Sequence, residues 1–157
     1  MKTFLLDMFR FNLEANLKMV SFGESLSSKE EAFKHLSHLA NCQYKWLDRI
    51  RIYPKVSSLD WWSPVYGYDD LILRFTESTD QWLDYLSKTS QEELELEVNY
   101  IGYDGTVWQV KLKDIALQLI FHSFHHRAQI QMMVRSLGHV PEFIDYIGSR
   151  AHKKGAN

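Results

Sequence analysis

The sequence predicts an all-α fold: an antiparallel-type four-helix bundle with one long connection and a small β-hairpin before the last long helix. Three observations predict it. Apolar residues recur at three- and four-residue steps in four long stretches, Gly and Pro punctuate the chain between them, and one short stretch alternates with period two. The 157 residues, 45% of them hydrophobic, suit one domain spanning 1–157 that buries a core without disulfide staples.

The first helix is expected from Lys2 to about Val20, where Leu5, Met8, Phe9, Leu13, Leu17 and Val20 share one face, and Gly23 breaks it. Ser27 and Ser28 precede Glu30 and Glu31 by three residues, so an S-x-x-E capping box should start a second helix that runs to about Ile52. The stretch "YPKVSSLDWWSPVYG" carries Pro54, Pro64 and Gly67 without a sustained period and reads as a loop long enough to cross the bundle. Its Trp61 and Trp62 should pack it down.

Leu71, Phe75, Trp82 and Leu86 mark a third helix, with Asp69 or Asp70 placed to cap its start. From Glu95 to Lys111 the pattern alternates, is rich in Val, Ile, Tyr and Trp, and contains Asp104-Gly105, a dipeptide suited to a tight hairpin turn. The fourth helix is expected from about Leu112 to Leu137, with Gly138 as its C-cap and Pro141 preventing continuation. A short turn completes the tail.

Composition excludes several function classes. The N-terminal stretch is interrupted by Asp7, Arg10, Glu14 and Lys18 too often for a signal peptide or a membrane span. A formal charge of -2, with Lys and Arg scattered, gives no general attraction for nucleic acid. The single cysteine, Cys42, forms no internal bridge and suits a cytoplasmic protein; it reads as a small packed hydrophobe rather than a nucleophile.

The chemistry concentrates in "HSFHHRAQ", with His122, His125 and His126 inside an otherwise apolar helix. His122 and His126 fall on the stripe of Ile115, Leu119, Ile130, Met133 and Leu137, so both should point into the bundle. Two neutral imidazoles on adjacent turns need partners for all their nitrogens, and a metal ion satisfies one on each ring. A third ligand must come from another helix, and the second offers His35 and His38. Periodicity alone does not prefer His38: Leu36, Leu39, Leu47 and Ile50 lie well round the wheel from it, and His35 is somewhat nearer.

"HLANCQYKWLDRI", with Trp46 eight positions after His38, together with "LIFHSFHHRAQIQMMVRSLGHVPEFIDYI", is similar to the DinB/YfiT-like family of metal-binding four-helix bundles. The most specific part is H-x-x-x-H-R-x-Q at His122, His126, Arg127 and Gln129, followed by Leu137, Gly138, Asp145 and Tyr146. Ala128 stands where the family has glycine, a small-for-small change. The resemblance implies His38, His122 and His126 as ligands of one divalent ion, with other positions open. A ligand at the margin of an apolar face then suits an open site at one end of the bundle, Trp46 covers the bundle, and His35 and His125 are not ligands.

Three neutral histidines leave an ion's charge intact and coordination positions open, the arrangement of a catalytic site. Such an ion acidifies a water or thiol and polarises a carbonyl. Members of the resembled family include bacillithiol- or mycothiol-dependent transferases and isomerases, and others described as metal-dependent hydrolases. The expected function is a metal-dependent enzyme that activates a low-molecular-weight thiol or water for attack on an electrophilic small molecule. A non-catalytic metal- or ligand-binding bundle is the alternative, and a structural bundle with an incidental ion a third.

Ser123 stands where an H-E-x-x-H protease carries its glutamate, so that chemistry is unsupported. No general base declares itself: Asn12 and Asn16 could line the pocket or face solvent, and His125 could act as a base or as a donor behind the ligands. Zn, Ni, Fe and Mn are not distinguished by three imidazoles. The resemblance further implies a homodimer.

Overall fold

Four long helices carry most of the chain in the computed structural model, which describes residues 1–52, 60–102 and 104–151. They are α1 (Lys2–Glu24), α2 (Glu30–Arg51), α3 (Tyr68–Lys88) and α4 (Leu112–Ser136). A hairpin of β1 (Glu97–Ile101) and β2 (Val107–Lys111) precedes α4, and a short α5 (Tyr146–Arg150) follows it. Residues 53–59 of the expected loop lie outside the described residues.

Local chemistry explains where the helix ends depart from expectation. Gly23 does not break α1, because the helix needs its missing side chain: a Cβ there would stand 3.1 Å from the Phe33 ring of α2. The capping box at the start of α2 does not form. Lys29 takes the cap position, and the Ser28 hydroxyl turns to the Glu30 carboxylate at 3.3 Å. Glu30 and Glu31, like Asp69 and Asp70 in α3, lie inside the first turn, where their charge opposes the helix dipole without capping it. Gly138 ends α4 as expected, at φ +80°, with the His139 N–H returning to the Val134 carbonyl at 3.1 Å.

Around the bundle α1 lies beside α3 and α4, and α2 beside the same two, with α1 and α2 touching less and α3 and α4 least. Contact order gives the directions. Lys2 meets the Ser87 carbonyl and Phe9 stacks on Trp82, so α1 and α3 run antiparallel; His35 meets His126 and His38 meets His122, so α2 and α4 do too. Asn12 and Asn16 meet Ser123 and Arg127 in the same order, and Gln43 and Arg51 meet Ser78 and Tyr85 likewise. The α1/α4 and α2/α3 pairs are therefore parallel, while α1/α3 and α2/α4 supply the antiparallel packing of the expected bundle. A parallel α2/α3 pair is also why their connection must travel the length of the bundle.

Two apolar clusters stack along the axis. One gathers Phe9, Leu47, Trp82, Leu86 and Leu119; the other gathers Met19, Phe33, Leu36, Leu71, Phe75 and Ile130. On α4 the buried polar Ser123, His126 and Arg127 fall between the two clusters in sequence, whereas on α2 His38 lies within the run of the second cluster, between Leu36 and Leu39. In the hairpin Tyr100 pairs with Trp108, and Gly105 at φ +80° turns the chain while the Asp104 carboxylate accepts from the Thr106 N–H at 3.0 Å. Among the described residues, no helix is long and apolar enough to cross a membrane.

Candidate metal centre

From Leu36 to Gln43 every residue of α2 is buried, which a helix with a single apolar face would not allow. The loop before α3 covers its second face. Tyr66 N–H donates to the Ser37 hydroxyl (2.8 Å), Asn41 donates to the Pro64 carbonyl (3.1 Å), and Lys45 reaches the Asp60 carbonyl. His38 belongs to this polar row, and its Nδ1 lies 3.0 Å from the Trp61 carbonyl. A carbonyl only accepts, so Nδ1 carries the proton and Nε2 presents a lone pair.

That lone pair faces α4. His38 Nε2 is 3.3 Å from His122 Nε2, which is 2.9 Å from His126 Nε2. On its other side, His126 Nδ1 meets His35 Nδ1 at 2.8 Å. Burial first, then His122, His38, His35 and His125, pushes His126 down to about 3; burial, then His38 and His125, pushes His122 down to about 4. Burial also lowers His38, against the opposing pull of its bond to Trp61, and lowers His35. Neutral imidazoles are what neutral pH leaves here, and neutral imidazoles are ligands.

Cys42, one turn beyond His38, puts its sulfur 3.7 Å from His38 Nε2. Donor atoms of His38, Cys42 and His122 lie within 4.8 Å of one another, a group that could hold a metal ion. Burial pushes the thiol up to about 12 despite Lys45 and Arg49, so by itself it stays protonated. It is packed in the apolar cluster, as a small hydrophobe should be, and it also touches the histidines.

The comparison with family models matches residues 2–154 to the DinB family. The chain belongs to the DinB family. No match was found among curated proteins.

In this DinB-family chain the three expected residues come together, but part-way along α2 and α4 rather than at one end of the bundle. Loop packing, not an end of the helix, is what lets a histidine off the apolar face be buried. His35, a rival on periodicity, joins the same cluster behind His126, whereas His125 is exposed. Asn12 and Asn16 do neither of the two things expected of them: both are buried, and both accept from Arg127 Nη1 at 2.6 Å.

Trp46 covers the bundle, packed against the first apolar cluster, and also lines a cleft of about 560 Å³ beside the histidines. Its companions there, among them Arg49, Trp61, Trp62, Tyr100 and Trp108, were not legible as a group, because loop, helix and hairpin each contribute. The only available signals were the Trp61-Trp62 pair in a loop and an aromatic-rich hairpin.

The donor set fits the divalent ion that the family implies. Two of its imidazoles have the far nitrogen engaged, to Trp61 and to His35, which aims Nε2 inward; the thiol is a further soft donor at hand.

Proposed function

We propose that this protein holds one divalent metal ion through Nε2 of His38, His122 and His126, and uses it to act on an electrophilic small molecule with a low-molecular-weight thiol or water as the attacking group. The convergence of the three Nε2 atoms at 2.9 and 3.3 Å supports this reading above all else. When bound, the ion supplies positive charge that makes a thiol or water more acidic and a carbonyl more electrophilic. His38 is held by Trp61 and His126 by His35, so the protein orients its ligands before any ion arrives.

A second set of three, His38 with His122 and Cys42, shares two ligands with this proposal. Nitrogen is favoured over sulfur because His126 needs no deprotonation, whereas burial holds Cys42 as a thiol up to about 12. Elemental analysis of purified protein and of two variants tests the choice. His126→Ala should lose the metal and any thiol-transfer activity while keeping helical dichroism, and Cys42→Ala should keep all three. The reverse pattern would move the ligand to Cys42.

One observation favours the alternative of a metal- or ligand-holding bundle without turnover. Among the described residues lining the cleft the one carboxylate is Asp104, and Thr106 already engages it through its N–H and its hydroxyl. A parent protein that carries metal but turns over no member of a broad electrophile panel, with thiol or with water, would favour this reading. As to assembly, we propose a homodimer: Phe121, Phe124, Ala128 and Met132 put an apolar stripe on the solvent side of α4, and Phe121 and Met132 are 61% and 69% exposed.

A further inference from the structure

The cleft beside the histidines has walls of a chemistry that the metal reading does not use. Five aromatic side chains line it: Trp46 from α2, Trp61 and Trp62 from the loop, and Tyr100 and Trp108 from the hairpin. Four tryptophans at one opening of about 560 Å³ are most of the five in the chain. The fifth, Trp82, is buried in the core.

These rings differ in what already occupies them. The Arg49 guanidinium sits 4.6 Å from the Trp61 ring, 4.9 Å from Trp46 and 5.2 Å from Tyr100, and donates to the Ile101 carbonyl at 3.1 Å. An arginine in that box uses the electron-rich faces that a cationic ligand would need, and its own charge repels one. Trp62 lies flat on His38, with ring centroids 4.0 Å apart and planes 13° from parallel. Trp108 is different: it is 51% exposed, paired across the hairpin with Tyr100.

The hairpin is shaped to hold Trp108 where it is. A Cβ on Gly102 would come 2.8 Å from the Trp108 indole nitrogen and 3.1 Å from Cδ1, so only glycine lets the indole lie across that strand end. An exposed tryptophan set in place by a glycine, at the mouth of a cleft with aromatic walls, is a preformed stacking surface.

We infer that this cleft binds planar aromatic small molecules that carry no positive charge, stacked on Trp108 with one end toward His38 and His122. Calling such a molecule a substrate rests on the metal reading above; its binding does not. A flat ring matches slabs of indole, while a saturated ring of similar size loses the stacking and keeps only apolar burial.

Fluorescence titration of the full chain, chelated and zinc-loaded, tests this with three probes. 2-Naphthoate and cyclohexanecarboxylate differ in flatness at one charge, and 2-naphthoate and 2-naphthylmethylammonium differ in charge at one shape. The naphthoate should bind the chelated protein roughly fivefold or more tightly than the cyclohexanecarboxylate, the low end of what a stacking interaction is worth, and more tightly than the ammonium, which the Arg49 charge repels. Trp108→Ala, at an exposed position that leaves the fold intact, should remove most of that advantage, and Gly102→Ala should reduce it by pushing the indole aside.

Equal binding of the two carboxylates, or preference for the ammonium, overturns the inference whether or not the protein holds zinc. Naphthoate selectivity in a protein that takes up no metal upholds the cleft and sinks the metal reading instead. The two failures are thereby separate.

Discussion

His35 shows how one side chain can matter without being a ligand. Its Nδ1 meets Nδ1 of His126, so one of the two rings must donate and the other accept. If His126 is to offer Nε2 to an ion, its proton sits on Nδ1 and His35 is the acceptor. A histidine in this place does what a carboxylate or carbonyl does behind most metal-bound histidines, without adding negative charge. His35→Phe keeps a ring but removes the acceptor, and should weaken metal affinity by about 10- to 100-fold, the usual cost of losing such a partner. His35→Gln, which retains an acceptor, should lose less. Competition against a chromogenic chelator measures both; equal affinities for the parent and the phenylalanine variant would show that His126 needs no partner.

The elements were legible in proportion to how far a single face decided them. Each long helix and the hairpin could be read from period and turn chemistry, because α1, α3 and α4 bury one stripe and the strands alternate. Helix α2 was harder. Its second face is buried by loop residues 60–66, a tertiary event that no window of α2 contains, and so periodicity left His35 and His38 undecided. The inward histidines of α4 are readable from their four-residue spacing, while the cleft is not, since residues far apart in sequence build it. Between α1 and α4 runs a further polar tie that no single stretch of sequence contains. Arg127 is 3% exposed and donates to the oxygens of Asn12 and Asn16, with burial lowering it to about 10. Arg127→Leu would strand two buried amide oxygens and should cost about 2–4 kcal/mol, at 1–3 kcal/mol for each unsatisfied group less the relief of desolvating no charge. Adding Asn12→Leu and Asn16→Leu should restore most of it. Urea denaturation of the single and triple variants decides: a triple variant less stable than the single one would mean that the network is worth more than its desolvation.

At the scale of the whole molecule, the apolar stripe on α4 and the buried histidines make separate demands. Phe121→Glu with Met132→Glu should convert a dimer to monomer in sedimentation at unchanged helical dichroism, since both residues are exposed and fill no core space. Stability draws on two apolar clusters that contain no histidine, so chelated protein should still melt cooperatively, unlike a domain folded only by its metal. Its pH dependence has a definite sign. His122 and His126 titrate near 6.5 when unfolded but at about 4 and about 3 when folded, so between those values the unfolded chain binds more protons. Their contribution is full above pH 6.5 and is lost as the pH falls through 4 and 3. Both rings keep partial contact with solvent, which shrinks the effect but not its direction. The urea midpoint of chelated protein should therefore fall from pH 6.5 to pH 4.5, before most carboxylates take up protons. A His122→Leu, His126→Leu variant should show a flatter profile over that interval, because its leucines have nothing to titrate. Parallel profiles would mean that the two imidazoles ionise inside the folded protein at no cost, and that burial does not hold them neutral for a metal.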